Sequence, residues 1–175
     1  MTFNFNLLVS TPRNFETDAL AELDFLVHRI RPECQFNYGK TIVKGLIWGN
    51  VIREDPVEIV HDIRDMVLKE KFPLQFLLKF VPVQQVVITD LEEIEKYIID
   101  NLDKIEENET FKIIVNKRRI HDERTEIIDR IAKNVQRKVN LDEPDKIIRL
   151  EMIGKYTGIS ILKEKDVFSA KRVVF

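Results

Sequence analysis

The sequence predicts a mixed α/β fold, and three observations support this prediction. Its 175 residues suit one compact domain or two small ones, and 44% of them are hydrophobic, enough for a sizeable core. Segments with apolar residues at alternate positions, typical of strands, are interspersed with segments whose apolar residues recur every three or four positions, typical of helices. Five glycines and six prolines leave little room for flexible or low-complexity sequence. We therefore expect a globular chain throughout.

The first half of the chain carries the pattern of a β-α-β-β-α-β domain. Its most specific signal is the start of the second helix, where Asp55 is a good N-cap and Pro56 suits the first helical position. Gly39 and Lys40 indicate a break between two strands of a hairpin. The predicted elements are a strand at 3–9, a helix from 14 that Pro32 stops, strands at 35–38 and 42–52, a helix from 56 and a strand at 74–81. This order is that of ferredoxin-like domains.

The second half predicts further helices and strands in a separate domain. Thr89 with Glu92 forms a capping-box pattern ahead of a helix whose apolar stripe continues to Ile105. The remaining predicted elements are a strand at 111–115, a helix from about 123 to 138, and strands at 147–153 and 158–162. We place the two domains at residues 1–82 and 83–175.

The composition excludes several classes of protein. A single cysteine, Cys34, rules out an intrachain disulfide and every multi-cysteine metal site, and the three histidines lack ligand spacing. We therefore expect no metal and no cofactor. No apolar stretch approaches the roughly 20 residues needed to cross a bilayer, and the first residues do not form a cleavable leader, so we expect a cytoplasmic protein with no membrane partner.

Charge is segregated along the chain, although the formal net charge is only -2. Residues 89–109 carry a net charge of -7, and residues 110–138 carry +5. A further net charge of +3 lies in residues 154–175. The pattern indicates one acidic surface followed along the chain by two basic ones.

The stretch VNKRRIHDER at 115–124 is the best candidate binding site. A strand leads directly into a run of cations, whose mutual repulsion is most often offset by a polyanion such as a phosphate backbone. Histidine in such a loop can stack on a base or contact phosphate, or can simply be exposed. The candidate residues are Lys117, Arg118, Arg119 and His121.

The helix that follows this stretch adds Arg130, Lys133 and Arg137 on one face, so that loop and helix form one basic ridge. An alternative is equally supported for the helix. Glu126 precedes Arg130 by four residues, and Asp129 precedes Lys133 by the same interval. Such spacing is typical of a solvated helix face whose charges pair with each other.

No catalytic site is expected. The five glycines match neither of the common nucleotide-binding fingerprints, and Ser10 and Ser160 have no recognisable histidine and acid partners. The paired glutamates on the acidic helix are explained by solvation. Phe36, Tyr38 and Trp48 on the predicted hairpin could form a stacking platform for single-stranded nucleic acid, but core packing is the favoured interpretation.

Four motifs in a fixed order resemble the THUMP-domain proteins. They are KFVPV at 79–83, FKIIVNKRR at 111–119, VNLDEPDKIIRLEM at 139–152 and TGISIL at 157–162. The resemblance covers nearly the whole chain and implies a ferredoxin-like domain followed by a THUMP domain that binds the acceptor end of tRNA. It also points to Lys79, ahead of the pair Pro82 and Val83, as a matching basic residue.

Within that family the chain most resembles the stand-alone adaptor that works with a separate acetyltransferase in forming N4-acetylcytidine on tRNA. We expect a non-catalytic tRNA-binding protein on this basis, with Lys155 and then Lys163, Lys171 and Arg172 as further candidates for RNA contact. Two alternatives remain. One is a subunit of a different tRNA modification system, for thiolation or methylation. The other is a ferredoxin-like regulatory module that binds a small ligand.

Overall fold

The computed structural model describes residues 3–173, except for the side chain of Arg172. The chain forms two compact units. The first contains residues 3–83 together with 165–173, and the second contains residues 84–164. A mixed α/β fold with two sheets and four helices is therefore confirmed.

The first unit has the predicted β-α-β-β-α-β order. Its elements are β1 (Leu7–Ser10), α1 (Glu16–Ile30), β2 (Phe36–Lys40), β3 (Leu46–Val51), α2 (Pro56–Lys69) and β4 (Lys79–Pro82). The strands pair antiparallel in the order β4-β1-β3-β2. Leu23 and Val27 of α1, with Ile59 and Ile63 of α2, are fully buried in one core with Ile47 of β3. Both helices therefore contribute an apolar face to the core of this unit.

Local signals explain how α2 begins. The Asp55 carboxylate accepts hydrogen bonds from the backbone N–H groups of Val57 (2.8 Å) and Glu58 (3.4 Å), and Pro56 occupies the first turn. These bonds satisfy donors that a helix start otherwise leaves open. The predicted start of this helix is confirmed.

The hairpin of β2 and β3 turns later than predicted. Gly39 lies inside β2, and the chain turns at residues 41–45, where Gly45 adopts a φ of 79° that favours glycine. Gly39 instead packs closely against a side chain, because a Cβ there would lie 3.0 to 3.1 Å from atoms of the Trp48 indole ring. The glycine thus marks the close approach of a side chain to the strand.

The second unit contains a five-stranded sheet and two helices. Its elements are β5 (Gln85–Ile88), α3 (Leu91–Asp100), β6 (Thr110–Arg118), α4 (Arg124–Ala132), β7 (Lys138–Val139), β8 (Lys146–Ile153) and β9 (Tyr156–Leu162). The strand order is β5-β9-β8-β6-β7, in which β6 runs parallel to β7 and β8 while the other pairs are antiparallel. Ile98 of α3 and Ile131 of α4 are buried in one core with Leu150 and Ile159 of the sheet.

Several boundaries in the second unit differ from the sequence prediction. Asp90, not Thr89, caps α3, because its carboxylate accepts hydrogen bonds from two N–H groups of the first turn at 2.8 and 3.2 Å. The Thr89 hydroxyl instead bonds to that of Thr157 at 2.8 Å. Helix α3 ends at Asp100, and α4 ends at Ala132, both earlier than predicted. Strands β5 and β7 were not predicted.

The C-terminal segment returns to the first sheet. Strand β10 (Phe168–Ser169) pairs with β4, with Phe168 opposite Phe80, and extends that sheet to five strands. The rings of Phe80 and Phe168 stack with their centroids 5.7 Å apart. The sequence predicts this segment as part of the second domain, whereas the pairing and this ring contact attach it to the first unit.

Within residues 3–173, no helix combines the length and the apolar character needed to span a membrane. The same described residues contain no group of three or more His, Cys, Asp and Glu side chains arranged to hold a metal ion.

Candidate nucleic-acid interface

The loops at one edge of the second sheet bring together residues that are distant in sequence. Strands β5, β6 and β8 all end at this edge. The backbone N–H of Gly154 donates to the carbonyl of Arg118 (3.0 Å), and that of Thr89 donates to the carbonyl of Lys155 (2.8 Å). These bonds join the β6–α4 loop, the turn between β8 and β9 and the start of α3 into one surface.

Five cationic or titratable side chains lie on these loops or at the ends of the elements that the loops connect. We call them the basic edge: Lys117, Arg119, His121, Arg124 and Lys155. Arg124, the first residue of α4, was not predicted as a site residue, although it closes the stretch that the sequence analysis singled out. The signal that could have found it was its position at the end of the basic loop.

Three members of the basic edge are exposed and without polar partners. The side chains of Arg119, His121 and Arg124 make no hydrogen bond or ion pair with any residue that the structure describes. Arg119 has a left-handed backbone with a φ of 58°, which turns the chain out of β6. Such a conformation is uncommon for a residue other than glycine. The turn leaves these side chains available for an external ligand.

The other two members have only local contacts. The Lys117 ammonium donates to the carbonyl of Asp122, a contact within the loop itself. The Lys155 ammonium lies 5.7 Å from the ring centroid of its neighbour Tyr156, at a distance typical of a cation–π contact. Neither contact neutralises the positive charge. Both ammonium groups therefore add to the positive potential of the edge.

The start of α4 adds a further attraction for anions. Its N-cap, Glu123, makes no side-chain hydrogen bond to the first turn. The N–H groups at a helix start carry a partial positive charge and bind phosphate readily. Here they lie beside Arg124 at the end of the basic loop. At the start of α3 the corresponding groups are already occupied by the carboxylate of Asp90.

Arg118 differs from its neighbours because it belongs to a buried charge network. Its guanidinium lies 2.6 Å from a carboxylate oxygen of Glu151, whose side chain is only 2% exposed. Arg149 donates to the same carboxylate at 2.8 Å, and so does the Asn116 amide at 3.0 Å. Unpaired carboxylate and guanidinium charges are costly to bury, and the network compensates them. Arg118 therefore serves the fold, and a role in RNA contact stays a prediction.

The cations predicted on α4 are dispersed. The Arg130 guanidinium forms an ion pair with the Glu95 carboxylate on α3. The hydrogen bond to Glu95 raises the pKa of Arg130 above its usual value. Arg137 donates from Nε to the carbonyls of Ile105 and Glu106, each at 3.0 Å. Lys133 is exposed at the end of the helix. The structure thus does not bring them together with the loop as one ridge.

The remaining candidates lie elsewhere. Lys79 begins β4 in the first unit, opposite Ser10 and Ser169 by register. It is partly buried and has a partner within the described chain. Lys163 and Lys171 are exposed, and the side chain of Arg172 lies outside the described residues. Their roles in RNA binding remain predictions.

Acidic residues flank the basic edge and limit its extent. Glu92 and Glu93 are exposed in the first turn of α3, and Asp122 and Glu123 are exposed in the β6–α4 loop. These carboxylates repel a polyanion, with a range of about 8 Å at physiological salt. The basic edge is a bounded patch, not a broad basic face.

Comparisons with known proteins match residues 89–162 to the THUMP domain family. The described part of the second unit therefore contains a THUMP domain that follows an N-terminal α/β domain, and the basic edge lies within it. No curated protein sequence matches the chain significantly.

Solved structures share the fold of nearly the whole chain. PH1313 from Pyrococcus horikoshii matches with a TM-score of 0.60 and 14% identity over 91% of this chain and 55% of its own. TrmN from Thermus thermophilus matches with a TM-score of 0.58 and 14% identity, over 90% of this chain and 45% of its own. A 4-thiouridine synthetase, solved as a complex with RNA and bound ATP, matches with a TM-score of 0.60 and 14% identity, over 95% of this chain and 42% of its own. The chain thus spans about half the length of these proteins.

Proposed function

We propose that this protein binds tRNA through the basic edge of its THUMP domain and presents it to a separate modification enzyme. The protein itself performs no chemistry in this proposal. The enzyme that we propose as the partner is a cytidine acetyltransferase, following the resemblance of the sequence to the adaptor of N4-acetylcytidine formation. We place this activity in the cytoplasm.

The observation that carries the proposal is the set of cations without partners at the end of the THUMP sheet. Arg119 and Arg124 keep their full charge and all their donors for a ligand, and Lys155 lies on the neighbouring turn. Arginine binds phosphate through paired donors, and each neutralised phosphate releases condensed counterions. Contacts of this kind supply affinity that depends on salt, while the shape of folded RNA supplies selectivity.

A second candidate function is the RNA-binding part of another tRNA modification system. The likeness to a 4-thiouridine synthetase in complex with RNA favours it, because that protein shares the fold of 95% of this chain. The modification that disappears from tRNA when the gene is deleted separates the two functions. Loss of N4-acetylcytidine supports the acetyltransferase partner, whereas loss of a thiolated or methylated nucleotide supports the second candidate.

Equilibrium binding to unmodified tRNA across a salt series tests the proposal. We compare the wild type with the triple variant Arg119→Ala, Arg124→Ala, Lys155→Ala. If each of these residues neutralises a phosphate, the slope of log K against log salt should fall by roughly 0.7 to 0.9 for each cation that is removed. The variant should also bind more weakly at every salt concentration.

A charge-matched control separates a specific site from a general loss of positive charge. The variant Lys69→Ala, Lys96→Ala, Lys138→Ala also removes three exposed cations, none of which belongs to the basic edge or to the predicted RNA contacts. It should bind tRNA with nearly the wild-type slope. Equal losses of affinity in the two variants would refute the assignment to the basic edge. Catalytic turnover by the purified chain alone would refute the adaptor role.

A further inference from the structure

A cavity in the first unit is lined by aromatic and asparagine residues. Its volume is about 890 Å³, and it lies along strands β2 and β3. The seven described residues that line it are all uncharged. They are Phe3, Asn4, Phe36, Asn37, Tyr38, Trp48 and Asn50. This volume falls within the range of about 300 to 1,000 Å³ that small-ligand sites occupy.

Strand register places the key groups of this cavity on one face of the sheet. Asn37 lies opposite Asn50, and Gly39 lies opposite Trp48. Directly opposed residues of an antiparallel pair point to the same face. Alternate residues such as Val51 point to the other face, into the core with the helices. Trp48 and the two asparagines therefore form a separate surface that does not belong to that core.

The Trp48 indole is held in a fixed position. It lies against the backbone of Gly39, where an added Cβ would come within 3.0 to 3.1 Å of the ring and would require it to shift. The Phe3 ring meets it edge-on, with the centroids 5.0 Å apart and the ring planes at 82°. A ring fixed in this way offers a stacking surface without a large loss of side-chain entropy on binding.

The carboxamides that line the cavity are not used by the fold. The side chains of Asn4, Asn37 and Asn50 make no hydrogen bond to any residue that the structure describes. Asn6, a near neighbour, provides the contrast, since its carboxamide bonds to both the N–H (2.9 Å) and the carbonyl (2.8 Å) of Val51. Asn6 is thus structural, whereas the three lining asparagines have donors and acceptors available for a ligand.

We propose that this cavity binds an unpaired nucleobase of RNA. A nucleobase has an aromatic face, which can stack on the Trp48 indole, and an edge of donors and acceptors, which asparagine amides pair with in two hydrogen bonds. The uncharged lining suits the neutral base, while the phosphates stay outside in water. The inference rests on the proposed function only in naming RNA as the source of the base.

The intrinsic fluorescence of Trp48 tests the proposal directly, because the sequence contains a single tryptophan. The full chain is titrated with a single-stranded adenylate oligonucleotide of about six residues, within the usual site sizes for such RNA. Stacking should quench the emission, and a fully paired duplex RNA should not. The double variant Asn37→Ala, Asn50→Ala should weaken the quenching affinity roughly tenfold, because it removes the two side chains that would hydrogen-bond to the base.

Gln35→Ala provides the matched control, because it removes an exposed carboxamide just before β2 and outside this cavity. It should bind the oligonucleotide as the wild type does. The proposal is overturned if the oligonucleotide fails to quench Trp48, if the double variant binds like the wild type, or if adenosine monophosphate binds as tightly as the oligonucleotide. The last result would indicate a small-molecule site.

Failure of this proposal can be distinguished from failure of the proposed function. If tRNA binds through the basic edge while the oligonucleotide leaves Trp48 emission unchanged, only the cavity assignment is wrong. If the oligonucleotide quenches Trp48 with the expected dependence on Asn37 and Asn50 but tRNA binding does not depend on the basic edge, only the proposed tRNA site is wrong.

Discussion

Cationic side chains at the two opposite edges of the THUMP sheet differ in their contacts with the rest of the fold. At the basic edge, the side chains of Arg119 and Arg124 have no polar partner among the described residues. At the far edge, where β6 and β8 begin, two cations, Lys146 and Arg137, contact the fold. Lys146 donates to the carbonyl of Lys104 at 2.6 Å and lies 3.2 Å from a Glu109 carboxylate oxygen, and Arg137 donates to two carbonyls.

This difference shows that the number of cations in a segment does not by itself locate a binding site. Arg137 donates hydrogen bonds to carbonyl groups that would otherwise need water, so its guanidinium contributes to the stability of the fold. Arg119 contributes no such contact, so its charge is available for association. We therefore expect substitutions at the two edges to affect different measurements.

The largest expected effect is the loss of stability on substitution of Glu151, the buried carboxylate with which Arg118 pairs. Glu151→Gln removes the negative charge and leaves the guanidinium groups of Arg118 and Arg149 without compensation. Breaking a buried ion pair typically destabilises a protein by about 3 kcal/mol or more. Denaturant unfolding followed by circular dichroism measures this loss of stability.

Glu95→Gln is the control for this prediction. It breaks the pair with Arg130, in which the Arg130 side chain is 45% exposed and that of Glu95 is 19% exposed. Exposed pairs contribute at most about 1 kcal/mol, so the unfolding midpoint should move little. Similar losses of stability for the two variants would show that the Glu151 network is no more important than a surface ion pair.

Arg137→Ala should produce an intermediate loss of stability and should distinguish the roles of the two edges. It leaves the carbonyls of Ile105 and Glu106 without their donor, at a cost of about 1 to 2 kcal/mol in unfolding free energy. The slope of tRNA affinity against salt should stay at the wild-type value. A shallower slope with unchanged stability would instead place Arg137 in the RNA-binding surface.

The smallest effect is a pH dependence that belongs to the far edge. Hydrogen bonds from Thr110 lower the pKa of Asp145 below its usual 3.8, and a backbone hydrogen bond at Glu106 lowers the pKa of Glu109 below its usual 4.5. A lowered pKa in the folded state contributes stability that is present above the unfolded value and lost as pH falls through the folded one. The affected range is therefore below about pH 5.

The double variant Asp145→Asn, Glu109→Gln tests this dependence. Its Tm should already be lower at neutral pH and should decline less than that of the wild type between about pH 5 and the acid limit of folding. Thermal unfolding at a series of pH values measures both. Parallel Tm curves for variant and wild type would contradict the assignment.

Much of the fold followed from local sequence signals. The start of α2 was predictable because Asp55 and Pro56 act within one helical turn. The long strands β8 and β9 were predictable from their apolar runs. Strand β7, with two residues, is too short to carry a pattern, and its existence depends on pairing with β6.

The location of the candidate site was predictable from the sequence, but the set of residues that form it was not. Arg118 and Arg119 are adjacent in sequence, yet only Arg118 meets a buried carboxylate, and that carboxylate is 33 residues away. Thr89 and Asp90 are both good N-caps, and the choice between them depends on a hydroxyl contact with Thr157. Contacts between distant residues decided these cases, and local propensity does not encode them.

The return of the chain to β10 makes the THUMP domain an insertion within the first unit. The chain leaves the first sheet after β4 and re-enters it beside that same strand, where Phe168 faces Phe80. The domain is thus tethered by two covalent segments that meet at neighbouring strands. Any mechanical load placed on it is shared between them, and β10 also covers an edge of β4 that would otherwise be open to pairing with another chain.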